Sequence, residues 1–150
     1  MSFKFALQNV MEYRKRLEEM AMRDMLLARK AYDDAKHVLE EFHDSIARSR
    51  LMAGQLHKEG GQAAENLRQI DSFVSGQIVR IQRQNLLLGE LMLEVEKKQT
   101  ILVQAAQDFI ILEKGREKLK KRYMEKQKKL ELKAIDDMVV MKFRPGGQGL

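Results

Sequence analysis

Three histidines are the side chains in this sequence best suited to bind a metal ion or transfer protons: His37, His43 and His57. His37 and His43 are six residues apart, so on a helix they lie on different faces and are poorly placed to share a metal ion. Carboxylates such as Glu40 and Glu41 are numerous. A pair of long helices, however, offers no cleft that would exclude water or tune an acid for catalysis. We interpret these groups as solvated surface side chains.

Sequence motifs of catalysis and phosphate binding are also missing. The chain contains no HExxH, GxSxG or GK[ST] pattern, and the glycines of its last residues, RPGGQGL, follow no predicted strand. It contains no cysteine, which excludes a thiolate metal site, a disulfide and a cysteine nucleophile. We therefore expect a protein that is not an enzyme, with no catalytic residue, cofactor or bound metal.

The composition indicates long helices. One third of the 150 residues are charged, and there is one proline and no tryptophan. The first residues, MSFKFALQNVMEYRKR, lack the apolar core of a signal peptide. No apolar run approaches the roughly 18 residues that a membrane span requires. We expect neither a signal peptide nor insertion into a membrane.

Apolar residues recur at alternating steps of three and four through most of the chain, which predicts a coiled coil. In the second half the seam has few polar interruptions, and its members are Leu67, Ile70, Val74, Gln77, Ile81, Gln84, Leu88, Leu91, Val95, Lys98, Leu102, Ala105, Phe109, Leu112, Arg116, Leu119, Tyr123, Lys126 and Leu130. In the first half the predicted seam is less regular, and its members are Val10, Arg14, Leu17, Ala21, Asp24, Ala28, Ala31, Ala35, Val38, Phe42, Ser45, Ser49, Met52 and Leu56.

Gly60 and Gly61 separate the two halves and favour a helix stop, because glycine readily adopts the left-handed conformation that ends helices. A short connection joins antiparallel neighbours. The predicted fold is all-α: an antiparallel two-helix coiled-coil hairpin with a longer, overhanging C-terminal helix. We expect one domain over residues 1–142, with helices at about 4–57 and 62–138 and a turn at about 58–62. Residues 143–150, which hold the proline, are expected to be a disordered tail.

The net charge of +6 is concentrated in residues 113–133. This stretch has ten lysines or arginines and four glutamates, so the other residues of the chain sum to zero. A turn near residue 60 would place Phe3 opposite about residue 117, leaving some 20 residues of the second helix without a partner. Leu119, Tyr123 and Leu130 would then form an uncovered apolar stripe within a basic helix, which is typical of a docking surface.

Two other functions for the basic stretch deserve comparison. A nucleic-acid site would use the same cations, but four glutamates would meet the phosphates and Tyr123 is the single aromatic residue available for stacking. A membrane-surface site would use the amphipathic start FKFALQNVMEYRKRL. We prefer to interpret that start as the first turns of the hairpin. We favour a protein partner, and no nucleic acid.

Three segments resemble the flagellar FliJ family of type III export: FALQNVMEYRKRLEEMA, DSFVSGQIVRIQRQ and LEKGREKLKKRYMEKQKKLELKAIDDM. The resemblance covers roughly residues 3 to 142. Its most specific parts are the Phe5–Leu7–Val10–Arg14 start and the Ile135–Asp136–Asp137 ending. Stalk proteins of virulence-type type III secretion share the same architecture, so they are the nearest alternative.

The resemblance implies a non-enzymatic component of the flagellar export apparatus, and hence of flagellum biogenesis, motility and chemotaxis. Such a protein binds and stimulates the hexameric export ATPase, contacts the cytoplasmic domain of the export gate membrane protein, and escorts export chaperones. It is cytoplasmic and peripherally associated with the inner membrane at the export apparatus.

Two groups of residues are the candidates for these contacts. The predicted ATPase-binding residues are Tyr13, Arg14, Arg16, Arg116, Lys118, Leu119, Lys120, Lys121, Arg122, Tyr123, Lys126, Lys129, Leu130 and Lys133. The predicted gate or chaperone contacts are Phe42, Ile46, Phe73 and Gln77, for which burial in a wide hairpin core is the alternative interpretation.

Overall fold

The computed structural model describes residues 2–60 and 64–143. Two helices, α1 (Gln8–Glu59) and α2 (Ala64–Lys142), make up 94% of the described residues, which contain no strand. The helices pack against each other: Ser45 of α1 contacts Gln77 of α2, whereas the earlier residue Ala35 contacts the later residue Gln84. This pairing is antiparallel. The predicted all-α helical hairpin is confirmed.

The first helix begins at Gln8, later than the expected start near residue 4, and ends just before Gly60, as that glycine predicts. Phe3, Lys4 and Phe5 precede the helix, and the amide of Gln8 donates to the carbonyl of Phe5 at 3.1 Å. At the other end Gly60 has a φ of 66° and donates its amide to the carbonyl of Leu56 at 3.2 Å. This left-handed glycine closes the last turn of α1.

The second helix is longer than the interval of about 62–138 that the periodicity indicates, because it continues to Lys142. No proline or glycine interrupts residues 116–143, so nothing local ends the helix earlier. The turn residues 61–63, which include Gly61, lie outside the described residues. So does the part of the expected tail from residue 144 onward.

Residues 19–103 form one compact unit that contains the best-buried side chains. Val95 is 2% exposed, and Ala21, Ala35 and Ile46 are also buried. Gln77 is a buried polar residue, 5% exposed, which donates to Ser45 Oγ at 2.7 Å and accepts from Arg80 Nη1 at 2.6 Å. Both polar atoms of its amide therefore have a hydrogen-bond partner within the chain.

The contact face of α1 differs from the predicted one by about one residue at several steps. Ala31, Val38 and Met52 are exposed, whereas the neighbouring residues Tyr32 and Leu39 are half-buried. The observed face keeps a strict alternation of three and four residues, and its members are Met11, Arg14, Glu18, Ala21, Met25, Ala28, Tyr32, Ala35, Leu39, Phe42, Ile46, Ser49, Ala53 and Leu56. On α2 every predicted seam residue from Leu67 to Arg116 is buried or half-buried, so that part of the seam is confirmed.

Residues 2–18 and 104–143 belong to a second compact unit. None of its described residues is buried. Its best-covered apolar side chains include those of Leu17, Phe109 and Leu112, which are half-buried. Polar contacts supplement this thin apolar interface. Arg116 Nε donates to Gln8 Oε1 at 3.2 Å, and the Lys15 ammonium lies 5.1 Å from the centre of the Phe109 ring.

Candidate partner-binding surface

The aromatic residue expected to be uncovered is in contact with the chain's own N-terminal segment. The rings of Phe3 and Tyr123 lie 5.6 Å apart, centre to centre, at 50° to each other. Phe3 therefore packs six residues further along α2 than the expected partner near residue 117. The expectation that Tyr123 belongs to an uncovered stripe is wrong for this reason.

Arg116 and Phe3 form one wall of an open pocket beside this aromatic pair. The guanidinium carbon of Arg116 lies 5.9 Å from the centre of the Phe3 ring, within the range of a cation–π contact. The pocket has a volume of about 470 Å³, and its lining residues are Ser2, Phe3, Arg116, Lys120, Tyr123, Met124, Gln127 and Glu131. It presents apolar surface next to two cations, Arg116 and Lys120.

The three predicted contact residues at the start of α1 lie in different surroundings. Tyr13 is half exposed and Arg16 is exposed, so both are accessible. Arg14 is half-buried and pairs with Asp108, with 3.4 Å between Nη1 and Oδ2. Its guanidinium therefore helps to hold α1 on α2, and a role for Arg14 in binding a partner would compete with that ion pair.

The predicted basic residues of α2 from Lys118 onward are exposed in the structure. Leu119 is also exposed, as is Leu130, at 51%. Gln127 is half-buried and lines the pocket, whereas Lys126 is exposed, so Gln127 and not Lys126 continues the seam. The fully exposed part of α2 begins at residue 128, later than predicted. We call residues 128–142 the overhang.

Sequence reasoning missed two features of this region. The first is Phe3, whose cover of Tyr123 depends on a segment that is not helical. The second is the apolar end of the overhang, where Met138, Val140 and Met141 are 64 to 76% exposed. The apolar run MVVMKF indicates this end in the sequence. The prediction of a docking surface rested instead on the basic residues that precede it.

The candidate gate or chaperone contacts divide into buried and accessible residues. Ile46, at 7% exposure, and Gln77 lie in the interface between the helices, which favours the core interpretation for both. Phe42 is half-buried and Phe73 is 43% exposed. Phe73 lines an open groove of about 310 Å³, whose other lining residues are Ser49, Met52, Leu56, Asn66, Gln69 and Ile70.

Two further features, metal-ligand groups and apolar helices, can be compared with the expectations from the sequence. Within residues 2–60 and 64–143, no group of three histidine, aspartate or glutamate side chains is arranged to hold a metal ion. His37 approaches Glu40 at 3.4 Å on the surface of α1. None of the helices in the described part of the chain is long and apolar enough to cross a membrane.

Comparisons with known proteins identify the family. No curated protein and no solved structure matches the chain. The family model of the flagellar FliJ protein matches residues 3–148, which is nearly the whole sequence. This protein therefore belongs to the flagellar FliJ family, whose members are non-catalytic, helical components of flagellar export that interact with the export apparatus.

Proposed function

We propose that the protein is a stalk that binds and stimulates the hexameric export ATPase of the flagellum. The observation that carries this proposal is the overhang. Every residue from 128 to 142 is exposed, and the segment offers apolar and basic side chains to a partner. Family membership supplies the setting, because interaction with the export apparatus is a property of the family.

The central opening of the ATPase hexamer is the proposed place of this contact. The overhang enters together with the accessible residues of the N-terminal turns, Tyr13 and Arg16. Burial of Leu130 and Met138 there stabilises the complex by about 25 cal/mol per Å² of apolar area, before the cost of ordering. The lysines meet acidic groups of the ATPase and contribute mainly to orientation and association rate, an effect that salt weakens.

Stimulation by such a stalk is a matter of binding equilibrium. No residue of this chain contacts ATP in the proposal. The stalk binds the assembled hexamer better than its separate subunits, so it shifts the population towards the active assembly.

The groove beside Phe73 is the proposed contact for a second partner, the cytoplasmic domain of the export gate or an export chaperone. Phe73 and Met52 are exposed there, and they are the apolar side chains that such a partner would cover. With these contacts the protein is cytoplasmic and associated with the inner membrane through the export apparatus.

The ATPase proposal is tested by measuring ATP hydrolysis with the flagellar export ATPase and increasing amounts of this protein. The full chain should stimulate hydrolysis, and a chain ending at Gln127 should not. Leu130→Asp at full length should also reduce stimulation, while Lys114→Gln, which changes an exposed cation outside the overhang, should leave it unchanged. Equal stimulation by the full and shortened chains would show that the overhang has no part in the contact.

The same assay with a virulence-type secretion ATPase addresses the alternative setting. The flagellar family match favours the flagellar enzyme, so the virulence-type ATPase should be stimulated less at the same protein concentration. Stronger stimulation of the virulence-type enzyme would favour the alternative.

A further inference from the structure

The cations of the C-terminal part of α2 are not spread evenly around the helix. Five of them follow one line, with steps of four, four, three and four residues: Lys118, Arg122, Lys126, Lys129 and Lys133. Residues at these steps share one face of a helix. All five are exposed, and in the described part of the chain none of them forms an ion pair. We call this line the basic stripe.

The basic stripe runs directly beside the apolar seam of α2. Each of its members precedes a seam residue by one position, and these seam residues are Leu119, Tyr123, Gln127, Leu130 and Ala134. The N-terminal segment covers the seam at Tyr123. Beyond that point Leu130, Ala134 and Met138 continue the same face, and all three are exposed.

The opposite flank of the seam is mixed in charge. The residues that follow the five seam positions there are Lys120, Met124, Lys128, Glu131 and Ile135. Beyond Lys133 the sign also changes, because Asp136 and Asp137 come next. The surface therefore has an apolar line, one purely basic edge about four turns long, and acidic groups at its far end.

We infer that the overhang, together with Lys126 just before it, binds an acidic amphipathic helix of its partner. Apolar side chains of that helix cover Leu130, Ala134 and Met138, and its carboxylates face Lys126, Lys129 and Lys133. The seam of α2 supports a helix as the occupant, since the exposed residues continue the spacing that α1 covers elsewhere. This inference rests on the proposed function and names the chemistry of the partner at the same surface.

Two other anionic partners fit this surface less well. A nucleic acid would leave the apolar line uncovered and would bring phosphates near Glu131, Asp136 and Asp137. An anionic lipid surface would meet the same three carboxylates. A helical partner avoids both difficulties, because it can place acidic residues opposite the lysines and neutral or basic residues opposite the aspartates.

A synthetic peptide serves as the probe in a direct binding experiment. It has two leucines per heptad and glutamates in the two positions flanking them, and its binding to the full-length protein is followed by fluorescence anisotropy. A control peptide has the same composition, with the glutamates moved to the face opposite the leucines. The first peptide should bind at least about tenfold more tightly than the control.

Two charge-matched triple variants identify the face. Lys126→Gln, Lys129→Gln and Lys133→Gln together remove three cations of the basic stripe, and should weaken binding of the acidic peptide by about tenfold. Lys97→Gln, Lys114→Gln and Lys121→Gln remove three exposed cations elsewhere on α2, and should weaken it by less than about threefold. Arginine at the three stripe positions should preserve binding, and circular dichroism should show equal helicity for all variants.

Three results would overturn the inference: equal weakening by the two triple variants, equal binding of the two peptides, or no binding of the acidic peptide at all. Tighter binding of a short DNA duplex or of phosphatidylserine vesicles than of the peptide, at the same salt concentration, would replace the helical partner with that class of ligand. None of these outcomes repeats the ATPase assay. The loss of stimulation on shortening the chain at Gln127 can therefore stand while this inference fails.

Discussion

Gln77 shows how a single polar side chain can set the alignment of the helix pair. Its amide nitrogen donates to Ser45 Oγ across the interface, and Ser45 Oγ in turn donates to the carbonyl of Phe42 at 2.7 Å. Gln84 makes a second connection of this kind, donating to the carbonyl of Ala35 at 2.8 Å. Displacing one helix along the other would leave these buried groups without partners, and that penalty opposes other alignments.

The coupling between Gln77 and Ser45 can be measured by a double-mutant cycle. Gln77→Ala should lower the free energy of unfolding by about 1 to 2 kcal/mol, because it removes a buried hydrogen bond and leaves a small cavity. Ser45→Ala should have a similar effect, and the double variant should lose less than the sum of the two. Urea unfolding followed by circular dichroism measures all three. Additive losses would contradict direct coupling.

Ile46 and Phe73 provide a matched pair of residues for separating core from contact surface. Ile46→Ala should reduce the free energy of unfolding by about 2 to 4 kcal/mol, since its side chain is buried between the helices. Phe73→Ala should cost less, because the Phe73 ring is partly exposed, and should leave helicity unchanged while weakening binding to the purified export gate domain. Loss of helicity together with binding in Phe73→Ala would assign this residue to the core.

At the scale of the helices, sequence periodicity was reliable for α2 and less so for α1. The α2 seam has large aliphatic residues such as Leu88, Leu91 and Val95 at regular steps, so one face is clearly the most apolar. In α1 the small residues Ala31 and Ala35 contribute little contrast, and apolar residues on the outer face, such as Leu26 and Leu27, compete with the true seam. Only the packed structure distinguishes the two faces.

The candidate surface was less predictable, and the chain geometry at the N-terminus explains why. The prediction assumed that α1 begins near residue 4, but Phe3 to Phe5 precede the helix. An extended residue advances about 3.3 Å and a helical one about 1.5 Å. Part of the difference lies in the helix alignment, because Gln8 contacts Arg116, about four residues beyond the partner near residue 112 that a turn near residue 60 would give it. The segment from Phe3 to Phe5, which is not helical, adds the remainder, since an extended residue advances further than a helical one.

Replacing either of two glycines by alanine should change the free energy of unfolding, in opposite directions. Gly89 lies within α2 in open surroundings, where an added Cβ would contact nothing within 4 Å. Gly89→Ala should raise the free energy of unfolding by about 0.5 to 1 kcal/mol through the higher helix propensity of alanine. Gly60→Ala should lower it by about 1 kcal/mol, because the left-handed φ of Gly60 is strained for alanine. Thermal unfolding should show shifts of opposite sign, and shifts of the same sign would contradict this assignment.

At the scale of the whole molecule, the chain separates the residues that hold the fold from those available to partners. The buried side chains of the described residues all lie between Ala21 and Val95. Residues 128–142 bury nothing in the isolated chain. Their helical conformation adds exposed surface without adding a core, which is the physical basis for proposing that they bind a partner.

Two shortened chains test this separation through stability alone. A chain ending at Gln127 retains Tyr123 and its contact with Phe3, so its unfolding temperature should stay within about 2 °C of that of the full chain, while helical circular dichroism falls in proportion to the residues removed.

A chain ending at Arg116 also loses Tyr123, which leaves Phe3 with the guanidinium of Arg116. The contacts around Gln8 and Arg14 then lie close to a fraying helix end. We expect a lower unfolding temperature for this shorter chain, by several degrees for a loss of about 1 kcal/mol. Phe3→Ala in the full chain is the control, because it removes the aromatic contact without changing the length of α2 and should reproduce part of the decrease. A marked loss of stability on ending the chain at Gln127 would instead mean that the overhang belongs to the fold, and that its exposed lysines and methionines are not free to serve a partner.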